Sequence, residues 1–408
     1  MAYSNIAAPV PAHVPPERVH DFDIFDPPGM EDDYHLAYKR LQDAGLPDIF
    51  WTPRNGGHWL PTRGELIAEI FKDYERFSSR VKAVPKEQYE GTVLKPINLD
   101  PPEHGKFRAL IQPFFSMSAI RPLEDEVRAL SIGLIEGFRR RGHCDFVSDF
   151  AQHLPIGIFM NMVKLPESDR LPLLALVEQV INPGERPKLE IFAELGRYVA
   201  AKVIERRAQP GDDLISRVVN SNIDGQPISI EDAVAVCNLV LIGGLDTVAS
   251  TLGFVAHFLA RRPEHRRRLR ENPALVQGAV DEFLRRFAVT NPGRVVAHDL
   301  DYRGVAMRAG DMVILPSFLH GLDDRVHDDP ASVRFDRPLK PNSAFGNGDH
   351  RCPGSNLARV ELKVFLQEWL PRIPDFSIPP GEKVGVRAGI NGSFYRLPLV
   401  WSAQAATM

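Results

Sequence analysis

The sequence has little cysteine and no excess of positive charge. Three cysteines (Cys144, Cys237 and Cys352) occur in 408 residues. That is too few for a disulfide framework, so each is expected to be free, a ligand or a nucleophile, as in the cytoplasm. The net charge of −4 argues against nucleic-acid binding. No apolar run predicts a membrane span, and the first twenty residues do not resemble a secretory signal.

Helical periodicity dominates the remaining pattern, and strand-like segments are short. A proline-rich extended arm is expected over about residues 1–30. The clearest helix spans about 229–262, where Ser229 and Asp232 resemble a capping box and the centre is apolar nearly all round, as in a buried helix. Other predicted segments are helices at 63–77, 273–287 and 355–370, a long loop at 80–98, and strands at 49–51, 58–61, 293–298, 305–307, 312–315 and 394–401. We predict one mainly α domain over 1–408 with a minor β part.

Residues 345–354 read Phe-Gly-Asn-Gly-Asp-His-Arg-Cys-Pro-Gly and precede a predicted helix. Glycines let backbone approach a flat ligand closely, and N–H groups at a helix N-terminus stabilise a thiolate. A lone Cys-x-Gly would favour an ordinary buried cysteine beside a turn. The complete pattern favours Cys352 as a metal-binding thiolate. Pro353 has no N–H to donate to that sulfur, which predicts a more electron-rich thiolate and a lower reduction potential of a metal bound to it.

The long helix contains several residues that local rules disfavour. Gly243-Gly244 costs helix stability, and Asp246-Thr247 places polar groups in apolar surroundings. The ordinary explanation is a kink in which Thr247 bonds back to a carbonyl. Rules broken together more often mark a functional site.

Two charged pairs have helical spacing. Glu282 and Arg285 lie one turn apart, and His104 and Arg108 lie four residues apart. Taken alone, each pair would be an exposed polar face that contributes little to stability.

The cysteine loop resembles the haem-binding signature of the cytochrome P-450 family, Phe-Gly-x-Gly-x-His-x-Cys-x-Gly, and the resemblance covers nearly the whole chain. It implies the P-450 fold, with haem b between the long central helix and the Cys-loop helix, and Cys352 as axial iron ligand. Implied haem contacts are Phe345 beside the thiolate and His104, Arg108, Arg294 and His350 at the propionates. Glu282, Arg285 and Arg337 would form a structural network, and Asp246 and Thr247 a catalytic pair that delivers protons for O–O cleavage.

Within the family, the chain resembles most the bacterial camphor-hydroxylating branch. The similar stretches are residues 55–59, 100–103, 107–110, 243–247 and 373–378. This implies a monomeric monooxygenase that inserts one oxygen atom of O₂. It also implies electrons from a [2Fe–2S] ferredoxin with an NADH-dependent reductase, and Arg108 near the docking face.

The substrate pocket departs from that branch. Thr92 stands where a tyrosine would hydrogen-bond the camphor ketone, and its hydroxyl is too short. The implied pocket consists of Ala83, Thr92, Leu94, Leu239, Ile242, Thr247, Val289, Ile390 and Asn391. Because it is mostly apolar, we expect a small hydrophobic terpenoid or norisoprenoid rather than camphor.

The cationic partners of the catalytic acid also differ from that branch. Leu174 and Asn182 occupy their positions, and Arg186 or Lys188 could substitute. Two other functions remain open, a haem-thiolate binding protein without turnover and a haem-free protein with Cys352 as nucleophile. The intact Asp246-Thr247 pair argues against the first.

Overall fold

The computed structural model describes residues 7–89, 93–181, 186 and 188–403. Thr92 and Asn182 lie outside them. The helices are α1 (Tyr34–Asp43), α2 (Gly64–Lys72), α3 (Glu103–Ile111), α4 (Met117–Ile120), α5 (Leu123–Arg139), α6 (His153–Val163), α7 (Arg170–Ile181), α8 (Lys188–Ala208), α9 (Leu214–Val219), α10 (Ile230–Arg261), α11 (Pro263–Glu271), α12 (Val276–Arg286), α13 (Ser317–Gly321) and α14 (Ser355–Arg372).

The strands are short, which confirms a mainly α protein with a minor β part. They are β1 (Ile49–Thr52), β2 (His58–Pro61), β3 (Phe77–Ser78), β4 (His143–Asp145), β5 (Asn222–Ile223), β6 (Gln226–Pro227), β7 (Gly293–Val296), β8 (Leu300–Tyr302), β9 (Val305–Met307), β10 (Met312–Ile314), β11 (Phe376–Ser377), β12 (Gly385–Arg387), β13 (Ser393–Arg396) and β14 (Pro398–Trp401). One sheet has the order β1-β2-β10-β7-β3, and smaller sheets pair β11-β14-β4, β12-β13, β5-β6 and β8-β9. The expected hairpin is present, with Ile49 opposite Pro61.

Helix α10 is the axis of the molecule. Its N-cap is the predicted one, because the Ser229 hydroxyl accepts a hydrogen bond from the Asp232 backbone N–H at 3.0 Å. Its first half packs into one apolar cluster through side chains such as Val236. Its last half packs into a second cluster through side chains such as Leu259. The Gly243-Gly244 pair lies between the two cores.

By length and composition alone, α10 could also cross a membrane, which the sequence pattern did not lead us to expect. Its most apolar window has a mean hydropathy of 1.8, and 53% of that window is buried inside the protein. A buried core helix passes the same test, so this composition is weak evidence for a span.

One prediction near the N-terminus was wrong, and one helix there was missed. The helix expected over 63–77 ends at Lys72, and Phe77–Ser78 instead pairs with β7 as a strand. Helix α1 was not expected, although the Asp33 side chain caps it by accepting from the backbone N–H groups of His35 and Leu36. Its ring and amide side chains are buried by tertiary contacts, which a local pattern does not reveal.

Candidate functional site

A cavity lies between α10 and α14. Its lining on the α10 side is Gly243, Gly244, Thr247, Val248, Thr251 and Leu252, and on the other side Phe345, His350, Cys352, Leu357, Ala358, Glu361 and Leu362. The segment after α12 closes one edge through Ala288, Val289, Thr290, Pro292 and Arg294. The cavity is mostly apolar, as a hydrophobic ligand held between two helices requires.

The cysteine loop turns tightly beneath this cavity. The Cys352 N–H donates to the Phe345 carbonyl at 2.9 Å, which closes the loop. Gly348 has φ +70°, and a Cβ there would lie 3.0 Å from the Lys72 backbone Cα. Both observations require glycine at that position, so the loop is fitted against the end of α2.

Electrostatics around the Cys352 thiol act in opposite directions. Burial raises its pKa, whereas the Gly354 backbone N–H and the cations Arg108, Arg351 and Arg359 lower it. Since Pro353 has no N–H, Gly354 supplies the backbone donor. A bound cation at the sulfur would add the charge that the thiolate needs.

Cationic and imidazole groups converge at one edge of the cavity. His350 and His104 lie with ring centroids 4.2 Å apart, and His350 Nε2 is buried without a hydrogen-bond partner among the described residues. Burial and then Arg294 lower the pKa of His350 to about 3. Burial lowers the pKa of Arg294 to about 10. An anion at this edge would satisfy the orphaned nitrogen and the buried guanidinium.

Arg108 lies between this edge and the cysteine loop. Its Nη2 donates to the Arg351 carbonyl at 2.7 Å, and its Nε donates to Gln112 at 2.7 Å. The structure therefore brings together the residues predicted as haem contacts: Cys352, Phe345, His350, His104, Arg108 and Arg294.

Glu282, Arg285 and Arg337 form a buried ionic network. Arg285 donates from Nε and Nη2 to the two Glu282 carboxylate oxygens at 2.7 and 2.8 Å, and Arg337 Nε donates to them at 3.0 and 3.1 Å. Arg285 also donates to the carbonyls of Gly321, Pro330 and Ser332. The side chains of Glu282 and Arg285 are 3% and 4% exposed, which excludes the alternative of a surface pair.

The middle of α10 differs from the rest of the helix. Thr247 Oγ1 donates back to the Gly243 carbonyl at 3.2 Å, as the kink explanation predicted, yet Thr247 also lines the cavity. The Asp246 carboxylate accepts from Asn391 Nδ2 at 2.6 Å and from Ser250 Oγ at 3.4 Å. Arg186, one of the two expected cationic partners, instead pairs with Glu194 at 2.9 Å, and the side chain of the other, Lys188, lies outside those that the structure describes.

Of the predicted substrate residues, Val289 and Thr247 line the cavity. Ala83 and Leu94 are buried, at 0% and 5% exposure, and Asn391 bonds to Asp246. Six of the predicted substrate residues do not line this cavity: Ala83, Leu94, Leu239, Ile242, Ile390 and Asn391. Their substrate roles stay predictions, as does that of Thr92, which lies outside the described residues.

Two ionisable lining residues were missed by sequence reasoning. Burial lowers the pKa of Lys82 to about 8 and raises the pKa of Glu361 to about 8. Neither has a hydrogen-bonding motif around it that would have singled it out. Glu361 lies nine positions after Cys352, on the helix face that the predicted α14 turns towards the cavity.

Comparisons with known proteins agree with this arrangement. The cytochrome P450 family model matches residues 181–384. The Probable cytochrome P450 127A1 of Sinorhizobium fredii is 32% identical over 403 residues, which is 97% of each chain. The Steroid C26-monooxygenase of Mycobacterium tuberculosis is 33% identical over 299 residues, covering 71% of this chain and 80% of that protein.

Solved structures are similar over the same length. CYP101C1 superposes with a TM-score of 0.90 at 42% identity, covering 96% of this chain and 100% of that one. CYP101J2 superposes with a TM-score of 0.90 at 39% identity, covering 97% and 100%. The chain belongs to the cytochrome P450 family. It is a P450 monooxygenase with the P450 fold, and the family's cofactor is haem b bound through a cysteine thiolate.

Proposed function

We propose that the chain inserts one oxygen atom of O₂ into a small hydrophobic molecule, with Cys352 as the ligand of the haem iron. The observation that carries this is the position of Cys352 at a cavity whose opposite wall is the Gly243–Thr247 segment of α10. We further propose that it works as a monomer in the cytoplasm, which three free cysteines favour.

The cavity edge fits the carboxylates of haem b. Arg294 and His350 would hold one propionate, and His104 and Arg108 would complete the cradle. The orphaned His350 Nε2 supports this assignment, because a buried ring nitrogen normally has a partner. Phe345 would pack beside the sulfur, and Arg359 lies with its guanidinium carbon 4.8 Å from the Phe345 ring centroid, which holds that ring in place.

When bound, haem supplies O₂ binding and O–O cleavage, which thiolate ligation favours. The residues of α10 would supply the protons. Thr247 lines the cavity, and its hydroxyl can donate and accept. Asp246 directly precedes Thr247 and does not line the cavity. It would exchange protons with solvent on the side of the helix away from the cavity.

The substrate class is inferred from the lining beside α10. Val289, Leu252 and Val248 are apolar, and the Thr290 hydroxyl is already bonded to Ser317 Oγ at 2.9 Å. Such a wall favours a compact apolar ring compound, with terpenoids and norisoprenoids as the class. Camphor is expected to bind poorly, because the Thr92 side chain is too short to bring its hydroxyl to the camphor ketone.

The proposed electron donor is a [2Fe–2S] ferredoxin that receives electrons from an NADH-dependent reductase. The exposed Arg351 and the neighbouring Arg108 lie next to Cys352 in the chain or in space. Cations on the face beside the thiolate suit an acidic partner, whose association would slow as ionic strength rises.

The test is reconstitution. Purified protein is titrated with terpenoids, ionone-like ketones and camphor, and the spin-state change of the haem absorption is recorded. We expect a fuller shift with a norisoprenoid than with camphor, and product formation that requires ferredoxin, reductase and NADH together.

A Thr247→Ala variant is the matched comparison in this assay. We expect it to consume NADH but to divert most of it to hydrogen peroxide, whereas Thr247→Ser retains product formation. A wild-type protein that stays colourless when haem is supplied would refute the proposal. Haem binding without any turnover would indicate a sensor instead.

A further inference from the structure

The catalytic acid on α10 is held by an amide rather than by a cation. Asn391 Nδ2 donates to Asp246 Oδ2 at 2.6 Å, and Ser250 Oγ donates to Oδ1 at the longer distance of 3.4 Å. Among the side chains that the structure describes, which do not include that of Lys188, no lysine, arginine or histidine forms an ion pair with Asp246. The short contact to Asn391 is therefore the main restraint on this carboxylate.

The backbone around Asn391 is tightly fixed. The Asn291 N–H donates to the Ile390 carbonyl at 2.7 Å, and the Gly392 N–H donates to the Val289 carbonyl at 2.8 Å. These bonds bracket Asn391 on both sides, and Asn391 itself forms a bridge with Thr290. The amide is thus presented to α10 from a rigid segment.

A buried polar cluster supports that segment from behind. Asn291 is 1% exposed, and its Nδ2 lies 2.6 Å from the Gly389 carbonyl and 3.2 Å from the hydroxyls of Tyr34 and Tyr38. A Cβ at Gly392 would come within 2.3 Å of the Tyr34 ring. Close packing of this kind leaves little room for residues 389–392 to shift.

The segment of α10 that carries Asp246 is held by its own packing. Ile242 packs against one apolar cluster and Val248 against the other. Because the helix and the loop are each held independently, the Asn391–Asp246 bond is the contact that links the carboxylate to the loop and sets its direction.

We propose that Asn391 is a positioning residue that fixes Asp246 Oδ2, so that Oδ1 is the atom that takes a proton from solvent and passes it towards Thr247. This rests on the proposed function. The carboxylate is regenerated after each transfer, so protons balance over the cycle. An amide suits this task, because it restrains one carboxylate oxygen through a directional hydrogen bond and adds no net charge beside it.

The assignment differs from a substrate contact. Neither Asn391 nor Asp246 lines the cavity, whereas Thr247 does. A positioning role therefore predicts a change in kcat with little change in KM, and a substrate contact predicts the opposite.

The experiment removes the donor in the complete holoenzyme. Asn391→Leu has a similar size but no N–H, and Asn391→Ser is too short to reach the carboxylate. For both variants we expect kcat to fall roughly tenfold, KM and the haem spectrum to stay as in wild type, and a larger share of NADH to yield hydrogen peroxide. Two variants are used because a loss caused by repacking of the loop would differ between the larger and the smaller side chain, whereas loss of the donor is common to both.

A double-mutant cycle separates positioning from general damage. In an Asp246→Asn background, Asn391→Leu should cause no further loss of kcat. The matched control is Asn161→Leu, which removes another amide–carboxylate bond, from Asn161 Nδ2 to Glu126 Oε2 at 3.2 Å on the exposed surface. We expect this control to behave as wild type.

Three results would overturn the inference: an unchanged or higher kcat in Asn391→Leu, a KM effect without a kcat effect, or equal losses in both backgrounds. Each requires an active wild-type enzyme. A wild type that shows no turnover would instead count against the proposed function, so the two failures are distinguishable.

Discussion

The two walls of the cavity are built in opposite ways. The wall of the cysteine loop is closed by backbone bonds and fitted against α2, and α12, which packs against α14, carries the buried Glu282 network. The α10 wall has two adjacent glycines, a threonine bonded back to its own helix and an acid held from a distant loop. The cysteine loop is therefore held by backbone bonds, whereas the acid on α10 is held by single side-chain bonds.

The largest expected effect comes from removing the sulfur. Cys352→Ser should abolish the absorption band typical of thiolate haem in the reduced, CO-bound protein and abolish product formation, because oxygen cannot replace the thiolate donor. Cys237→Ser is the control, since Cys237 is buried in the apolar cluster that contains Val236, and it should keep the band. If Cys352→Ser retains the band, the first wall has been misassigned.

The buried network should rank second. Glu282→Gln leaves Arg285 and Arg337 without their counter-charge, and breaking a buried ion pair costs about 3–5 kcal/mol. Urea unfolding should show this loss. The exposed pair Arg170–Glu167 at 2.8 Å offers the control, and Glu167→Gln should cost less than about 1 kcal/mol. Equal losses of unfolding free energy would show that the Glu282 network stabilises the protein no more than an exposed pair does.

A pH-dependent effect is expected at Glu361. Burial raises its pKa from 4.5 to about 8, so the folded protein holds this proton more tightly than the unfolded chain. The destabilisation is absent below pH 4.5, grows as pH rises from 4.5 to 8, and is constant above 8. Glu361→Gln should remove it.

The measurement for Glu361 is the free energy of unfolding of wild type and variant at pH 5 and pH 8. The difference between the two free energies should widen by about 1.4 kcal/mol per pH unit between the two pKa values. The exposed Glu271 supplies the control, because Glu271→Gln should give the same difference at both pH values. A constant advantage for Glu361→Gln would show that the carboxyl is not desolvated.

The glycines of α10 test the other wall. Gly243→Ala should add about 1 kcal/mol of stability through helix propensity, because the new Cβ meets no atom within 4 Å. It should also slow turnover, since the methyl group enters the cavity. Urea unfolding and kcat are the two readouts. A variant that gains stability and keeps full activity would show that turnover does not require glycine at position 243.

The smallest expected effect concerns Pro353. Pro353→Leu restores an N–H that can donate to the sulfur, which should raise the iron reduction potential by a few tens of millivolts. Spectroelectrochemical titration measures it. An unchanged potential would mean that the Gly354 N–H already satisfies the thiolate.

Prediction from the sequence succeeded where the information is local. The cysteine loop lies within ten consecutive residues, and Ser229 caps α10 from three residues away. The spacing of Glu282 and Arg285 predicted their contact, although their burial needed the fold. Asn391 lies 145 positions from Asp246, and no local pattern connects them, so it was interpreted as a pocket residue.

Helix boundaries failed for a similar reason. Helix α2 ends at Lys72 because the following residues pair with β7, an interaction across more than two hundred positions. Helix α1 places polar side chains such as Lys39 and Gln42 in buried positions, where Gln42 Nε2 donates to the Thr62 carbonyl at 2.6 Å. Hydrophobic periodicity cannot detect a helix that buries amides and rings.

The hydroxyls of Tyr34 and Tyr38 in α1 contact Asn291, which in turn donates to the Gly389 carbonyl in the turn between β12 and β13. A segment near the beginning of the chain and one near its end must therefore meet before the oxygen-handling side of the pocket acquires its final shape. A nascent chain whose central helices had already packed would still lack this connection. Removal of the N-terminal segment through α1 should therefore impair catalysis rather than haem binding.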